Sequence, residues 1–134
     1  MILTKMNHPN IISLYEYFDS DNYISIMQNY APGSPIIHEL SKHEKDFTIR
    51  KILNILWQLC RAIRHLKAKN IIWCNFHHDN IIYDGENVVI CGFSESRVKV
   101  SRTFKQADEI LGLRGRQFLF FFNFQAMLVM LLRK

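Results

Sequence analysis

Residues 70–96 read NIIWCNFHHDNIIYDGENVVICGFSES, and the reading of this stretch decides the fold. The apolar pairs Ile71-Ile72 and Ile81-Ile82 flank a polar loop, Asn75 to Asn80. Asp84-Gly85 is a turn signal, and the β-branched run Val88-Val89-Ile90 follows it directly. The order is therefore strand, loop, short strand, turn, short strand, loop, ending at Ser96.

The segment before this stretch is the best helix in the chain, Phe47 to Lys69. Ile49, Ile52, Leu53, Leu56, Leu59, Ile63 and Leu66 recur at helical spacing, which places Ile49 and Leu56 on the core side. Arg50, Lys51, Asn54, Gln58, Arg61, Arg64 and Lys67 take the other face. Asp46 or Thr48 is the cap, basic residues in the last turn suit the helix dipole, and Asn70 can end the helix in a left-handed conformation. Further upstream, Ile11 to Phe18 reads as a strand, Asp19 to Asn22 as a turn and Tyr23 to Met27 as the returning strand. Met1 to Asn7 reads as a helix end stopped by His8-Pro9-Asn10.

This layout resembles the catalytic centre of the protein kinase family. That family's catalytic loop is H-R-D-L-x-x-x-N and its magnesium loop is D-F-G. Here the first reads Trp73-Cys74-Asn75-Phe76-His77-His78-Asp79-Asn80 and the second Gly92-Phe93-Ser94. HPNIISLYEYFDSDNYISIMQNY resembles the family's path from the end of the N-lobe helix through two strands to the hinge, and AIRHLKAKNIIW the end of the helix before the catalytic loop. The resemblance implies an α+β fold, a partial protein-kinase-like domain over residues 1–96, with a divergent segment at 97–134.

What the resemblance implies for chemistry is mostly loss. Phosphoryl transfer needs a carboxylate near the attacking hydroxyl and carboxylates on magnesium. Asn75 holds the position of the catalytic Asp, and a carboxamide is no base at neutral pH. Losing general-base help costs about 10²–10⁴ in rate. Gly92 holds the position of the magnesium-loop Asp and offers no side-chain oxygen, which hard magnesium requires. Asn80 matches the second metal ligand, a poor and unfilled site alone. His77 stands where many Ser/Thr kinases place a phosphate-contacting Lys, and Cys74 where an Arg receives the activation-loop phosphate.

For nucleotide, the same resemblance places Gln28 at the gatekeeper position and Asn29, Tyr30 and Ala31 in the hinge. Ile36, Ile81 and Ile82 form an apolar floor beneath an adenine. Pro35 replaces an acidic residue that would hold the ribose. Leu3, Leu14, Trp73 and Phe93 match the family's apolar spine, so packing is retained where catalysis is not. The Gly-rich loop, the strand Lys and its partner Glu belong before Met1, and their absence leaves a hairpin with an unpaired edge. No cofactor is required on this reading, and ATP binding is weak at best.

Composition sets the outer bounds. The chain has 134 residues, 49% of them hydrophobic with ten Phe, so a packed core is expected. Cys60, Cys74 and Cys91 form neither a tight spacing nor an even set, which points to reduced thiols and a cytoplasmic location. Cys74 with His77 and His78 also reads as a metal cluster, although a catalytic loop explains that spacing without one. No signal peptide opens the sequence. Net charge is +5, and the basic residues between Arg97 and Arg116 read as a solvated loop in preference to a nucleic-acid patch. Gln106 to Leu113 weakly resembles the start of the family's central C-lobe helix. Phe118–Leu132 is apolar apart from Asn123 and Gln125 and falls short of the ~20 residues that span a bilayer. A buried helix is favoured there over a membrane anchor, and sequence after a frame change is a third reading.

The expectation is a truncated, degenerate pseudokinase-type domain of Ser/Thr kinase character that binds or scaffolds an unknown protein partner. The alternatives are a divergent active kinase in which Asp79 or a partner supplies the carboxylate, and a membrane-tethered interaction fragment.

Overall fold

The helix α2, Ile49–Ala68, organises the molecule. The structure, a computed structural model, describes residues 2–98. Thr48 caps α2 by accepting the Lys51 N–H at 3.3 Å, so the helix starts two residues later than expected. Phe47 instead packs on the ring of Tyr83. At the other end Asn70 adopts φ 57°, the left-handed conformation that closes a helix.

The buried side of α2 is Ile52, Ile55, Gln58, Leu59, Ala62 and Leu66. Two expectations need correction. Ile49 and Leu53, expected in the core, are 51% and 58% exposed, and with Trp57 they form a second apolar stripe pointing away from the described core. Leu56 and Ile63 lie between, half-buried. Gln58, expected on the polar face, is 5% exposed. The helix is apolar on more than one side, so hydropathic period alone did not fix its rotation.

Around α2 the chain lays three small sheets. Strands β1 (Leu14–Asp19) and β2 (Ile24–Gln28) form an antiparallel hairpin with a register irregularity between Leu14 and Glu16. Among the described residues no third strand joins it. Its large side chains, including Tyr17, Phe18, Ile24 and Ile26, are exposed. The strand expected from Ile11 begins later because Ile11 and Ile12 are core residues that run beside a C-terminal strand.

Next come β3 (Ser34–Pro35) and the short helix α1 (Ile36–Lys42). After α2 follow β4 (Ile71–Ile72), β5 (Ile81–Tyr83), β6 (Val88–Ile90) and β7 (Arg97–Val98). The second sheet has the order β3-β5-β6 and the third pairs β4 with β7, all antiparallel. The β5–β6 turn is built by Asp84, whose Oδ1 accepts the Glu86 and Asn87 N–H groups. Gly33 at φ 101° lies so close to Tyr83 that a Cβ there would collide with the Tyr83 carbonyl oxygen. The expected N-terminal helix end is a single 3-10 turn, Leu3–Lys5, after which Met6 is extended.

One core joins these elements, with Ile81, Ile90 and Val88 at its centre. A buried polar network crosses it. Asn10 Nδ2 donates to Gln58 Oε1 at 2.7 Å and to Val88 O at 2.8 Å. Val88 N–H donates to Gln58 Oε1 at 2.8 Å, and Gln58 Nε2 donates to Glu86 O at 2.9 Å. Gln58 is buried because it is bonded on both its oxygen and its nitrogen.

Candidate functional site

The loop between β4 and β5 and the segment after β6 meet at Asn75, Asn80 and Gly92. Asn80 Nδ2 donates to Asn75 O at 3.1 Å, and Asn75 Nδ2 donates to Gly92 O at 3.3 Å. The backbone is tied alongside, since Cys91 N–H donates to Asn80 O at 2.8 Å. Gly92 has φ 71°, and a Cβ there would lie 2.6 Å from Asn80 Cγ and Oδ1. The amide of Asn80 therefore fills the space in which a side chain on residue 92 would begin. Two side-chain carboxamides and two backbone carbonyls bond one another here, and no carboxylate takes part.

Behind this triad lies an aromatic stack. Trp73 packs on Phe93 with ring centroids 5.8 Å apart and meets Phe76 edge-on at 5.5 Å. Its indole Nε1 donates to Cys91 O at 2.8 Å. Ser96 Oγ donates to Trp73 O. Leu3, Trp73 and Phe93 are buried in the core and Leu14 packs partly buried against it. Burial pushes the Cys91 thiol above its ordinary value, which leaves it a poor nucleophile. Cys74 holds φ 59°, a left-handed backbone at a side-chain-bearing residue.

The adenine-side residues divide. Gln28, Asn29 and Tyr30 are exposed, Tyr30 to 85%, while Ala31 and Ile82 are half-buried. Asn29 N–H is already engaged by Ser13 O at 3.0 Å. Ile36 and Ile81, expected to floor an adenine, are 2% and 0% exposed, so the core has taken them and Ile82 alone offers surface. A cavity of about 440 Å³ brings Gln28 and Gly92 together with Leu3, Ile26 and Phe93. It lies on the spine side of Gln28, and Asn29, Tyr30, Ala31 and Ile82 are not among its lining residues.

His77, His78 and Asp79 gather on the outer side of the loop. Cys74, grouped with the two histidines by spacing, is not part of that cluster, and Asp79 takes its place. The sequence pattern also missed the Asn80–Gly92 contact, for which the glycine at the magnesium-loop position is the only signal.

Fold and site together define a protein kinase domain core, and the chain belongs to the protein kinase family. The protein kinase domain model matches residues 1–110. The chain is similar to the serine/threonine-protein kinase Nek3 of Mus musculus, 26% identical over 100 residues, covering 73% of this chain and 20% of that protein. It is also similar to the serine/threonine-protein kinase RUNKEL of Arabidopsis thaliana, 26% identical over 97 residues, covering 72% of this chain and 7% of that protein. Among solved structures, the autoinhibited serine kinase domain of the giant muscle protein titin superposes with a TM-score of 0.64 at 26% identity, covering 72% of this chain and 31% of that one. The chain thus spans about a fifth or less of these two curated relatives.

No helix among the described residues is long and apolar enough to cross a membrane. Phe118–Leu132 and Gln106–Leu113 lie outside the described residues.

Proposed function

We propose that this chain is a kinase-like binding or scaffolding domain, cytoplasmic, that does not transfer phosphate. The observation that carries the reading is the closed triad of Asn75, Asn80 and Gly92, in which amides and carbonyls bond one another at the positions where the family holds its base and its magnesium. Magnesium at such a site would need oxygen ligands that Gly92 does not offer and that Asn80 has turned toward Gly92. Asp79 is a weak substitute base, because its carboxylate is engaged by two imidazoles. The partner is a protein, and nucleic acid is disfavoured because the described site shows no basic platform of stacking aromatics.

Radiolabelled ATP with a generic protein substrate tests this on the full chain. The expected result is phosphate transfer equal to a mock preparation. Transfer above mock that vanishes in Asn80→Ala would overturn the proposal.

A further inference from the structure

We propose that His77, His78 and Asp79 form a binding site for a borderline divalent transition cation, with Zn²⁺ as its reference ion. The site is independent of the loss of magnesium chemistry, because it lies on the outer side of the loop and shares no ligand with the Asn75–Asn80–Gly92 triad.

The local backbone makes the cluster. His77 is extended, φ −138° and ψ 147°, and consecutive side chains on extended backbone point to opposite sides. The chain turns at once into the 3-10 segment His78–Asn80, which swings His78 back beside His77. The two ring centroids are 4.0 Å apart. Asp79 then reaches both rings, with Oδ2 3.1 Å from His77 Nδ1 and Oδ1 2.9 Å from His78 Nδ1.

The spacing suits one ion. One ligand atom from each residue lies within 4.8 Å of the others. Around a tetrahedral ion with arms of about 2.0–2.2 Å, ligand atoms sit roughly 3.3–3.5 Å apart. The nitrogen–carboxylate separations of 3.1 and 2.9 Å lie near that spacing, and a pair at the 4.8 Å limit would close by about 1.4 Å through side-chain rotation. The chemistry is equally selective, since two imidazoles with one carboxylate favour zinc, cobalt, nickel or copper over magnesium and calcium.

His77 Nδ1 also receives the Asp79 backbone N–H at 3.3 Å. That N–H and the Asp79 carboxylate oxygen at 3.1 Å both fall on His77 Nδ1, so an ion would take this ring through Nε2 or displace one of the two contacts. His78 and Asp79 are partly solvent-accessible, so an ion can enter, and three protein donors leave one position for water or for a donor group of a partner.

The full 134-residue chain, kept reduced, is titrated with Co²⁺ and followed by its visible d–d absorption, and Zn²⁺ is measured by competition with a chromophoric chelator. The expected result is one equivalent of Co²⁺, displaced by Zn²⁺ and not by excess Mg²⁺. His77→Ala/His78→Ala should weaken binding on the order of 10-fold or more, and Asp79→Asn should weaken it with both rings in place. His43→Ala, which removes the exposed His43–Asp46 pair, should leave it unchanged. Circular dichroism confirms that the variants fold, which an exposed loop predicts. Binding unchanged in the double variant, no binding at all, or a thiolate-to-cobalt charge-transfer band showing cysteine ligation would each overturn the site.

Discussion

The Asn80 carboxamide sits in the space that a Cβ on Gly92 would need, with Cγ and Oδ1 both 2.6 Å from that point. Gly92 is thus more than a lost metal ligand. Its missing side chain admits Asn80, which bonds Asn75 O and closes the site on itself.

The three glycines at positive φ therefore rank by what surrounds them. Gly33→Ala should be the most damaging, because its Cβ would meet the Tyr83 backbone, which cannot yield. Gly92→Ala comes second, since the obstacle is an amide that can rotate at the cost of its hydrogen bond. Gly85→Ala meets nothing within 4 Å and carries only the backbone strain, about 1–2 kcal/mol. Thermal unfolding of the three variants measures the order. Gly92→Ala falling level with Gly85→Ala would mean that the Asn80 amide moves freely.

The same contact predicts the outcome of restoring the acids. Asn75→Asp with Gly92→Asp should recover no measurable transfer and should lower Tm below that of Asn75→Asp alone, because the new side chain at 92 displaces Asn80 from its bond. Phosphate transfer that appears in the double variant at unchanged Tm would refute this account of the site.

Gln58 holds Val88, Asn10 and Glu86 together inside the core. Gln58→Ala should cost about 2–4 kcal/mol, since it leaves buried donors on Asn10 and Val88 with an acceptor lost. Gln58→Leu restores volume but none of the bonds, and should stay close to the Ala variant. Urea unfolding distinguishes the accounts: a Leu variant as stable as the parent would make Gln58 a matter of volume alone.

His8 lies against His65, with ring centroids 5.1 Å apart. Burial, then the charges of His65 and Arg61, hold its pKa below the ordinary 6.5. The folded state resists this proton and the unfolded chain accepts it. The stability from neutral His8 is therefore complete above pH 6.5 and is lost as pH falls from there through the lowered folded value. Urea midpoints taken at about pH 7.5 and about pH 5.5 should differ, with the chain weaker in acid, and His8→Gln should narrow the gap. A gap unchanged in that variant would assign the acid sensitivity elsewhere.

Much of this was legible before the structure, for physical reasons. Asn70 is one of the few residues that tolerates left-handed backbone, and Asp84-Gly85 states its turn through a carboxylate that accepts two backbone N–H groups. Trp73 and Phe93 are apolar at positions the family packs, and they do stack. Gln58 was illegible because polarity reads as solvent unless its partners are known, and those partners are 28 to 48 residues away in sequence. Ile49 and Leu53 misled because an apolar residue at helical spacing reads as core whether or not the described fold supplies a neighbour.

The last prediction concerns nucleotide. With Ile36 and Ile81 taken into the core, an adenine would find only Ile82, Ala31 and the exposed hinge around Tyr30. None of these contacts involves phosphate or metal, and Asn80 is turned inward. Apolar and backbone contacts alone should give weak binding that ignores the phosphates. Thermal shifts with adenosine, with ATP, and with ATP plus Mg²⁺ should accordingly be small and alike. Tyr30→Ala should leave all three nearly unchanged, since a ring so exposed covers little of the site, whereas Ile82→Asp should abolish them by placing a charge on the one apolar surface left. A large stabilisation seen only with ATP and Mg²⁺ together would require metal ligands in place of the closed amide triad, and would return the chain to the active members of its family.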